Sequence, residues 1–190
     1  MLRGRLPTTF SLLERKISHD GVSVQSFRLE GFMAKAGRAV VGRWRASGPH
    51  RESKQNFGLE PGSVSWGVWP LGSNRCWGAY RLHGPDGTLQ GYRFDALTDV
   101  TLRSLGEEEG YEVTFRDLLL DCRIHAERPF ETCIEDENEV LDALRKGSLS
   151  DSDIKDIENA RIAFASSNAS ALAKEVDAWI EEATRGDNRT

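Results

Sequence analysis

Residues 77–94 read WGAYRLHGPDGTLQGYRF, and this stretch decides the fold. Two runs of β-prone residues, 77–82 and 88–94, flank the segment HGPDG at 83–87. Proline presets φ for a turn, and the Asp-Gly pair that follows accepts the tight backbone geometry of a hairpin. The stretch therefore predicts two antiparallel strands joined by a short turn.

The same pattern continues on both sides of this hairpin. Further β-prone runs occupy residues 22–29, 39–44, 63–71, 100–105, 111–115, 118–124 and 130–134. Short strands at even spacing, mostly joined by tight turns, are typical of an antiparallel barrel or sandwich. We favour a barrel, because closure removes the exposed edges of a sheet.

The last third of the chain has helical periodicity. The segment 136–139 begins a helix that Gly147 ends, and Ser150 or Asp151 caps a second one. Apolar residues of a third, amphipathic helix are Leu172, Val176, Trp179 and Ile180. We predict an α+β chain with an antiparallel β-barrel over 1–135, C-terminal helices over 136–183 packed on or beside it, and a disordered tail over 184–190.

Composition narrows the class of protein. Of the 190 residues, 38% are hydrophobic and the mean hydropathy is -0.50. No apolar run approaches the roughly 20 residues of a spanning helix, and the basic N-terminal residues are not followed by a signal-peptide stretch. The three cysteines form no Cys-x-x-Cys pair, which argues against a zinc site or a disulfide framework. We expect a cytoplasmic protein without a membrane partner.

Charge is divided unevenly along the chain. Residues 1–60 hold eleven Lys or Arg and five Asp or Glu, a net of +6, whereas residues 61–190 hold fourteen and twenty-five, a net of -11. The basic part suits an anionic partner. The acidic part would repel such a partner unless cations intervene.

The acid-rich segment between Asp117 and Asp142 is the main candidate site, with nine Asp or Glu and two Arg. Carboxylates at this density suit Mg²⁺ or Mn²⁺ rather than zinc. Asp117 and Asp121 bracket three leucines; on a regular strand they face the same way but lie about 13 Å apart. Either the strand bends there, or the two acids serve different ions, or only one is a ligand.

Two further sets of acids have competing interpretations. Asp136 and Glu137 are possible metal ligands, but Asp136 with Glu139 also resembles a helix-capping pair at the positive end of the helix dipole. Asp95 ends a strand and is either a third ligand or a turn-starting residue. The sequence leaves both alternatives open.

Aromatic and basic residues supply candidates for substrate binding. The tryptophans between 66 and 77, with Tyr92, suit either core packing or stacking on a nucleobase. Arg43, Arg93 and Lys146 could hold phosphate oxygens. Each of them is also typical of a surface charge, and Lys146 suits a helix C-terminus.

Taken together, these motifs resemble those of the FomD-like family of bacterial and archaeal proteins. The resemblance covers roughly residues 60–150 and is carried by 77–80, 92–95, 117–121, 136–139 and Gly147. Its most specific part is Asp-Leu-x-Leu-Asp followed by an acidic helix start. The resemblance implies a β-barrel with C-terminal helices and metal-dependent hydrolysis of nucleoside di- and triphosphates or of a nucleotidyl phosphonate. It implies acidic-motif roles for Asp95, Asp117, Asp121 and Glu137, and contact of Trp77 or Tyr92 with the base.

We therefore predict a hydrolase that uses Mg²⁺ or Mn²⁺ to activate water against a nucleoside di- or triphosphate or a nucleotidyl ester. The predicted catalytic residues are Asp117, Asp121 and Lys146; the substrate-binding residues are Trp77, Tyr92, Arg93 and Arg43; the metal ligands are Asp95, Asp117, Asp121, Asp136 and Glu137. The alternative is an RNA-binding or RNA-processing accessory that uses Arg43, Arg45 and the tryptophans. A non-catalytic binding module is a third reading.

Overall fold

The computed structural model describes residues 9–34, 37–47, 59–72, 75–106 and 108–185. Its elements are β1 Phe10–Ile17, β2 Val24–Ala34, β3 Ala39–Arg45, β4 Val64–Pro70, β5 Trp77–His83, β6 Leu89–Gly106, β7 Gly110–His125, β8 Cys133–Glu135, α1 Glu137–Lys146, α2 Asp151–Ala163 and α3 Ala169–Thr184. A 3₁₀ turn at Ser166–Asn168 separates α2 from α3. The predicted hairpin at 77–94 is formed by β5 and β6.

The first seven strands form a closed barrel. Each strand pairs antiparallel with the next, and β1 then pairs with β7 in parallel, from Leu12 opposite Tyr111 to Ile17 opposite Arg116. The prediction of a purely antiparallel barrel is therefore wrong at this junction. In an up-and-down meander, an odd number of strands brings the first and the last together in the same direction. The α+β class with a barrel and C-terminal helices is confirmed.

The two longest strands combine elements that the sequence analysis kept apart. β6 joins the predicted runs 88–94 and 100–105, and β7 joins 111–115 and 118–124. Two register shifts between β6 and β7, at Asp95/Leu97 and Thr98/Thr101, fall where the predicted runs of β6 were separated, and a third lies next to the turn at Ser104/Gly106. The first strand, β1, was not predicted, because the first β-prone run recognised in the sequence begins at residue 22.

Apolar side chains pack in two layers. One layer lies inside the barrel and includes Leu12, Trp69, Leu97 and Phe115. The other lies between the outer face of the barrel and the helices, where side chains such as those of Phe94 and Leu118 meet α2 and α3. Successive residues of a strand therefore alternate between the two layers.

The helix boundaries follow the expected signals with one exception. Gly147 ends α1 in a left-handed conformation, and Ser150 caps α2 in a capping box with Asp153. Asp136 stands at the N-cap of α1, but its φ is 62° and its side chain makes no capping hydrogen bond. The capping interpretation of Asp136 is therefore wrong.

The C-terminal end and the helix lengths complete the fold. Of the tail predicted over 184–190, residue 184 is the last of α3, and 186–190 lie outside the described residues. Among the helices described, none combines the length and the apolar character that crossing a membrane requires.

Candidate active site

A bend in β7 brings the two aspartates of the leucine motif to one place. Five residues of β7, from Asp117 to Asp121, lie opposite only three residues of β6, from Asp95 to Leu97. Leu119 takes up the excess with φ 75°, and its N–H donates to Asp117 Oδ1 at 3.0 Å. Of the three alternatives that the sequence left open, the strand bend is the one that occurs.

Inside the barrel, five charged side chains alternate in sign. Lys16 Nζ lies 2.7 Å from Asp117 Oδ2 and 3.3 Å from Asp95 Oδ2. Arg93 Nε lies 2.7 Å from Asp95 Oδ1, and Arg93 Nη2 donates to Asp121 Oδ2 at 2.7 Å. The result is a continuous chain of ion pairs, which we call the charged cluster: Asp117, Lys16, Asp95, Arg93 and Asp121.

Because the charged cluster is largely buried, its side chains shift one another's pKa values. Burial opposes charge on Asp95, but Arg93 and Lys16 outweigh it and hold the pKa of Asp95 below its usual value. Burial, followed by the neighbouring Asp95 carboxylate, raises the pKa of Asp121 to about 8, although Arg93 and Lys16 lower it. Burial would lower the pKa of Lys16, yet Asp95 and Asp117 raise it. The two neighbouring acids therefore respond in opposite directions.

A fourth acid lies beside the cluster. Glu14 is 5% exposed, and the hydroxyl of Tyr80 donates to its Oε1 at 2.6 Å. Burial raises the pKa of Glu14 to about 7, against the lowering effect of the Tyr80 hydrogen bond. Glu14 is two residues before Lys16 on β1 and shares its face of the strand.

A cavity of about 170 Å³ adjoins the cluster. Its lining comes from β1 through β6 and from the segment before β4: Glu14, Lys16, Gln25, Phe27, Leu29, Gly42, Trp44, Leu59, Ser65, Gly67, Trp69, Tyr80, Leu82, Arg93 and Asp95. Because consecutive strands of the barrel all contribute, the cavity is the upper part of the barrel interior. Three of the five members of the charged cluster, Lys16, Asp95 and Arg93, belong to this lining.

Four of the predicted site residues meet in this cluster, namely Asp95, Asp117, Asp121 and Arg93. The acids of the helix start have other surroundings. Glu137 forms an ion pair with Arg161 of α2, at 2.6 Å from Oε2 to Nη2. The role of Glu137 and Asp136 as metal ligands stays a prediction.

The predicted aromatic contacts lie on the other face of the barrel wall. Trp77 is 2% exposed and packs against Trp179 of α3, with ring centroids 5.8 Å apart. The hydroxyl of Tyr92 donates to Asp177 of α3 at 2.9 Å. Both side chains bind the helices to the barrel, and neither lines the cavity. Their role in binding a base stays untested.

The two remaining basic candidates also lie away from the cavity lining. Arg43 pairs with Glu30 on the neighbouring strand, and its guanidinium lies 5.4 Å from the centre of the Trp66 ring. Lys146 is exposed in the last turn of α1, where a cation suits the helix dipole. The RNA-facing alternative, which relied on Arg43 and its neighbours, stays a prediction.

Sequence reasoning missed Lys16 and Glu14, and it considered Tyr80 only as an aromatic residue for packing or stacking. The alternation of Leu12, Glu14 and Lys16 along one strand was the available signal, since a buried leucine fixes the face of its neighbours at period two. Charged residues in a strand are ordinarily assigned to the solvent face, and β1 itself was not predicted. Without β1, the cation that joins Asp95 to Asp117 could not be placed.

The acids of the cluster match a site for Mg²⁺ or Mn²⁺ in the type of donor atom but not in their present arrangement. In the described ranges, no three His, Cys, Asp or Glu side chains stand in position to hold one metal ion. Lys16 and Arg93 occupy the space between the carboxylates. The donor set nonetheless fits a hard divalent cation in kind, because it consists of carboxylate oxygens and outnumbers its two counter-charges. Binding such an ion would require Lys16 or Arg93 to release an oxygen.

Comparison with known proteins finds similar folds among solved structures. No family model and no curated protein matches the chain. A solved structure of the phosphatase SC4828 with the non-hydrolyzable nucleotide GPCP is similar at 16% identity and a TM-score of 0.60, over 90% of this chain and 82% of that one. A complex of FomD with CDP is similar at 14% identity and a TM-score of 0.59, over 85% of this chain and 84% of that one. The chain thus has the fold of both structures, and the resemblance to the FomD-like family is confirmed at the level of fold.

Proposed function

We propose that this protein is a divalent-metal-dependent hydrolase of a nucleoside di- or triphosphate or of a nucleotidyl ester. The observation that carries the proposal is the convergence of Asp95, Asp117 and Asp121 in one chain of ion pairs, whose members Lys16, Asp95 and Arg93 line the barrel cavity. Strained backbone at Leu119 is needed to bring two of them together. Such strain persists where the surrounding structure enforces it, often at functional sites.

The charge of the cluster supports a role for Mg²⁺ or Mn²⁺. The cluster has three carboxyl groups, Asp95, Asp117 and Asp121, and only two cations, Lys16 and Arg93, which are already paired with them. A phosphate would find little free positive charge there unless a further cation were present. A divalent ion held by Asp95, Asp117 and Asp121 would offset the excess, polarise phosphate oxygens and lower the pKa of bound water.

The two cations of the cluster have different proposed roles. Arg93 spans Asp95 and Asp121 and holds these two carboxylates in place. The side chains of Lys16 and Asp117 are 19% and 18% exposed, so this end of the cluster is the more open one. We assign the phosphate contact to Lys16 rather than to Lys146, since Lys146 lies at the exposed end of α1.

The structural comparisons favour the same class of substrate. One similar structure is named as a phosphatase with a nucleotide analogue, and the other as a complex with CDP. A shared fold does not determine activity. The shared fold, together with a cluster of acids beside a cavity, makes a nucleotide the first substrate to test.

The test is a phosphate-release screen on nucleoside mono-, di- and triphosphates with Mg²⁺, with Mn²⁺ and with EDTA. Asp117→Asn should abolish release, because it removes an acid from the open end of the cluster. Asp142→Asn is the matched control, since Asp142 is exposed on α1 and pairs only with Arg145 among the described residues. Metal-dependent release that survives in the control and disappears in Asp117→Asn supports the proposal. No release by the wild type from any nucleotide, with either metal, contradicts hydrolysis of a nucleoside di- or triphosphate. No hydrolysis of a nucleotidyl ester in the same conditions contradicts the rest of the proposal.

A further inference from the structure

We propose that the barrel cavity is a nucleobase pocket in which Glu14 selects guanine. The inference rests on the proposed function for the phosphate end of the substrate, and it assigns the other end. The residues that carry it are distinct from Trp77 and Tyr92, which the sequence suggested for the base.

Glu14 has an acceptor that no described residue uses. Its Oε1 accepts the hydrogen bond from Tyr80, whereas no described side chain or backbone group donates to its Oε2. This oxygen is not enclosed by the protein; it faces the cavity, where an acceptor without a protein donor is available to a bound molecule. Because Glu14 lines the cavity, a bound molecule with N–H groups would supply what is missing.

The walls of the cavity suit a flat ring. Phe27 on β2 is 37% exposed, and Trp44 on β3 is half-buried, although both are large and apolar. Deeper in the barrel, the Trp69 ring lies over Gly67, where a Cβ would come within 2.3 Å of Trp69 Cη2. A volume of about 170 Å³ is below the range of roughly 300–1,000 Å³ for pockets that enclose a whole drug-sized ligand. One stacked base fits such a space better than an entire nucleotide does.

The spacing along β1 joins this pocket to the phosphate end. Glu14 and Lys16 lie on one face of the strand, two residues and thus about 7 Å apart. The edge of guanine that faces Glu14 is opposite its ribose, so the ring and the sugar together separate Glu14 from the phosphate, and the long side chain of Lys16 would have to reach the rest of that span. The order of groups along a nucleotide matches the order of residues along the strand.

The chemistry of Glu14 distinguishes between bases. An ionised carboxylate only accepts hydrogen bonds. Guanine presents two adjacent donors on one edge, N1–H and the 2-amino group. Adenine and cytosine place a ring-nitrogen acceptor next to their amino group, and uracil flanks its N–H with two carbonyls. Guanine is accordingly the base that Glu14 accommodates without an acceptor facing an acceptor.

The test measures the binding of GMP and IMP by calorimetry at pH 8 in Mg²⁺, because IMP lacks only the 2-amino group. We expect the wild type to bind GMP about 10- to 100-fold more tightly, as for a hydrogen bond to a charged group. Glu14→Gln should reduce this preference to roughly twofold, since an amide offers one acceptor and one donor. Glu112→Gln is the matched control and should keep the preference, because Glu112 is a buried acid that pairs with Arg103 and does not line the cavity.

Circular dichroism would detect misfolding of Glu14→Gln. A second variant, Phe27→Ala, gives a test of the pocket that does not depend on Glu14→Gln. Phe27→Ala, at the exposed mouth, should weaken GMP and IMP equally, since stacking does not read the edge of a base. Equal binding of GMP and IMP by the wild type, or an unchanged preference in a folded Glu14→Gln, would overturn the inference. A guanine preference without phosphate release from any nucleotide would support the base pocket and contradict the proposed hydrolase, so the two failures are distinguishable.

Discussion

Asp95 and Asp121 are direct partners across β6 and β7, and the guanidinium of Arg93 lies 2.7 Å from a carboxylate oxygen of each. Two buried acids at neighbouring positions repel each other strongly in a low dielectric. A single cation between them offsets part of this repulsion. Arg93 is therefore as important to the folding of the barrel wall as it is to the site.

Removing Arg93 should destabilise the protein. In Arg93→Leu, Asp95 and Asp121 are left without their shared counter-charge, and we expect the free energy of unfolding to fall by about 3–5 kcal/mol. Urea denaturation at pH 7 measures the loss. Arg145→Leu is the control: Arg145 and Asp142 are 74% and 59% exposed, so this pair should contribute at most about 1 kcal/mol. Equal losses in the two variants would mean that the cluster is solvated and the ion pairs are weak.

The bend at Leu119 predicts an unusual order of stability between two small residues. A left-handed conformation costs an L-amino acid about 1–2 kcal/mol, whereas glycine adopts it freely. Leu119→Gly should therefore be more stable than Leu119→Ala by about 1 kcal/mol in thermal or urea unfolding, although both lose the leucine packing. Thr114, earlier in β7, gives the opposite order, because glycine costs about 0.5–1 kcal/mol relative to alanine in a regular strand. If alanine is the better residue at both positions, the strand does not bend as described.

The bend also marks the limit of what the sequence could predict. The motif placed Asp117 and Asp121 on one face of a strand, and this was correct. Three leucines between them give no glycine or proline signal, so the sequence could not choose between a bend and two separate sites. The register shift against β6 arises from pairing over the whole length of the two strands, which a local pattern does not show.

The choice of face was the second limit. Tyr92 and Arg93 alternate along β6, and one of them had to face the interior of the barrel while the other faced the helices. Both layers are apolar, so hydrophobicity could not decide which was which. The packing of α3 against the outer face decides it, and it makes Tyr92 part of the layer between barrel and helices.

Two tyrosine variants test this assignment of faces. Tyr92→Phe removes the hydrogen bond to Asp177 and should cost about 1–2 kcal/mol of stability, with no change in the KM for a guanine nucleotide. Tyr80→Phe removes the donor to Glu14 in the cavity and should raise that KM. Phosphate-release kinetics and urea denaturation on both variants separate the two effects. A higher KM in Tyr92→Phe alone would return the base to the outer face, as the sequence first suggested.

The buried carboxyl of Glu14 should make stability depend on pH in a defined window. Burial raises its pKa from 4.5 to about 7 on folding, so the folded protein holds this proton more tightly than the unfolded chain does. The contribution is fully present below about pH 4.5, declines as the pH rises, and is lost above about pH 7.

Glutamine at position 14 does not titrate. Relative to wild type, Glu14→Gln should therefore gain roughly 3 kcal/mol between pH 4.5 and pH 8, at about 1.4 kcal/mol per pKa unit. Urea denaturation of both proteins at the two pH values gives this difference, and the neighbouring Lys16, Asp95 and Arg93 are common to both. A stability difference that is the same at pH 4.5 and pH 8 would show that folding leaves the pKa of Glu14 near 4.5, and therefore that the cavity already provides it with enough positive charge or water.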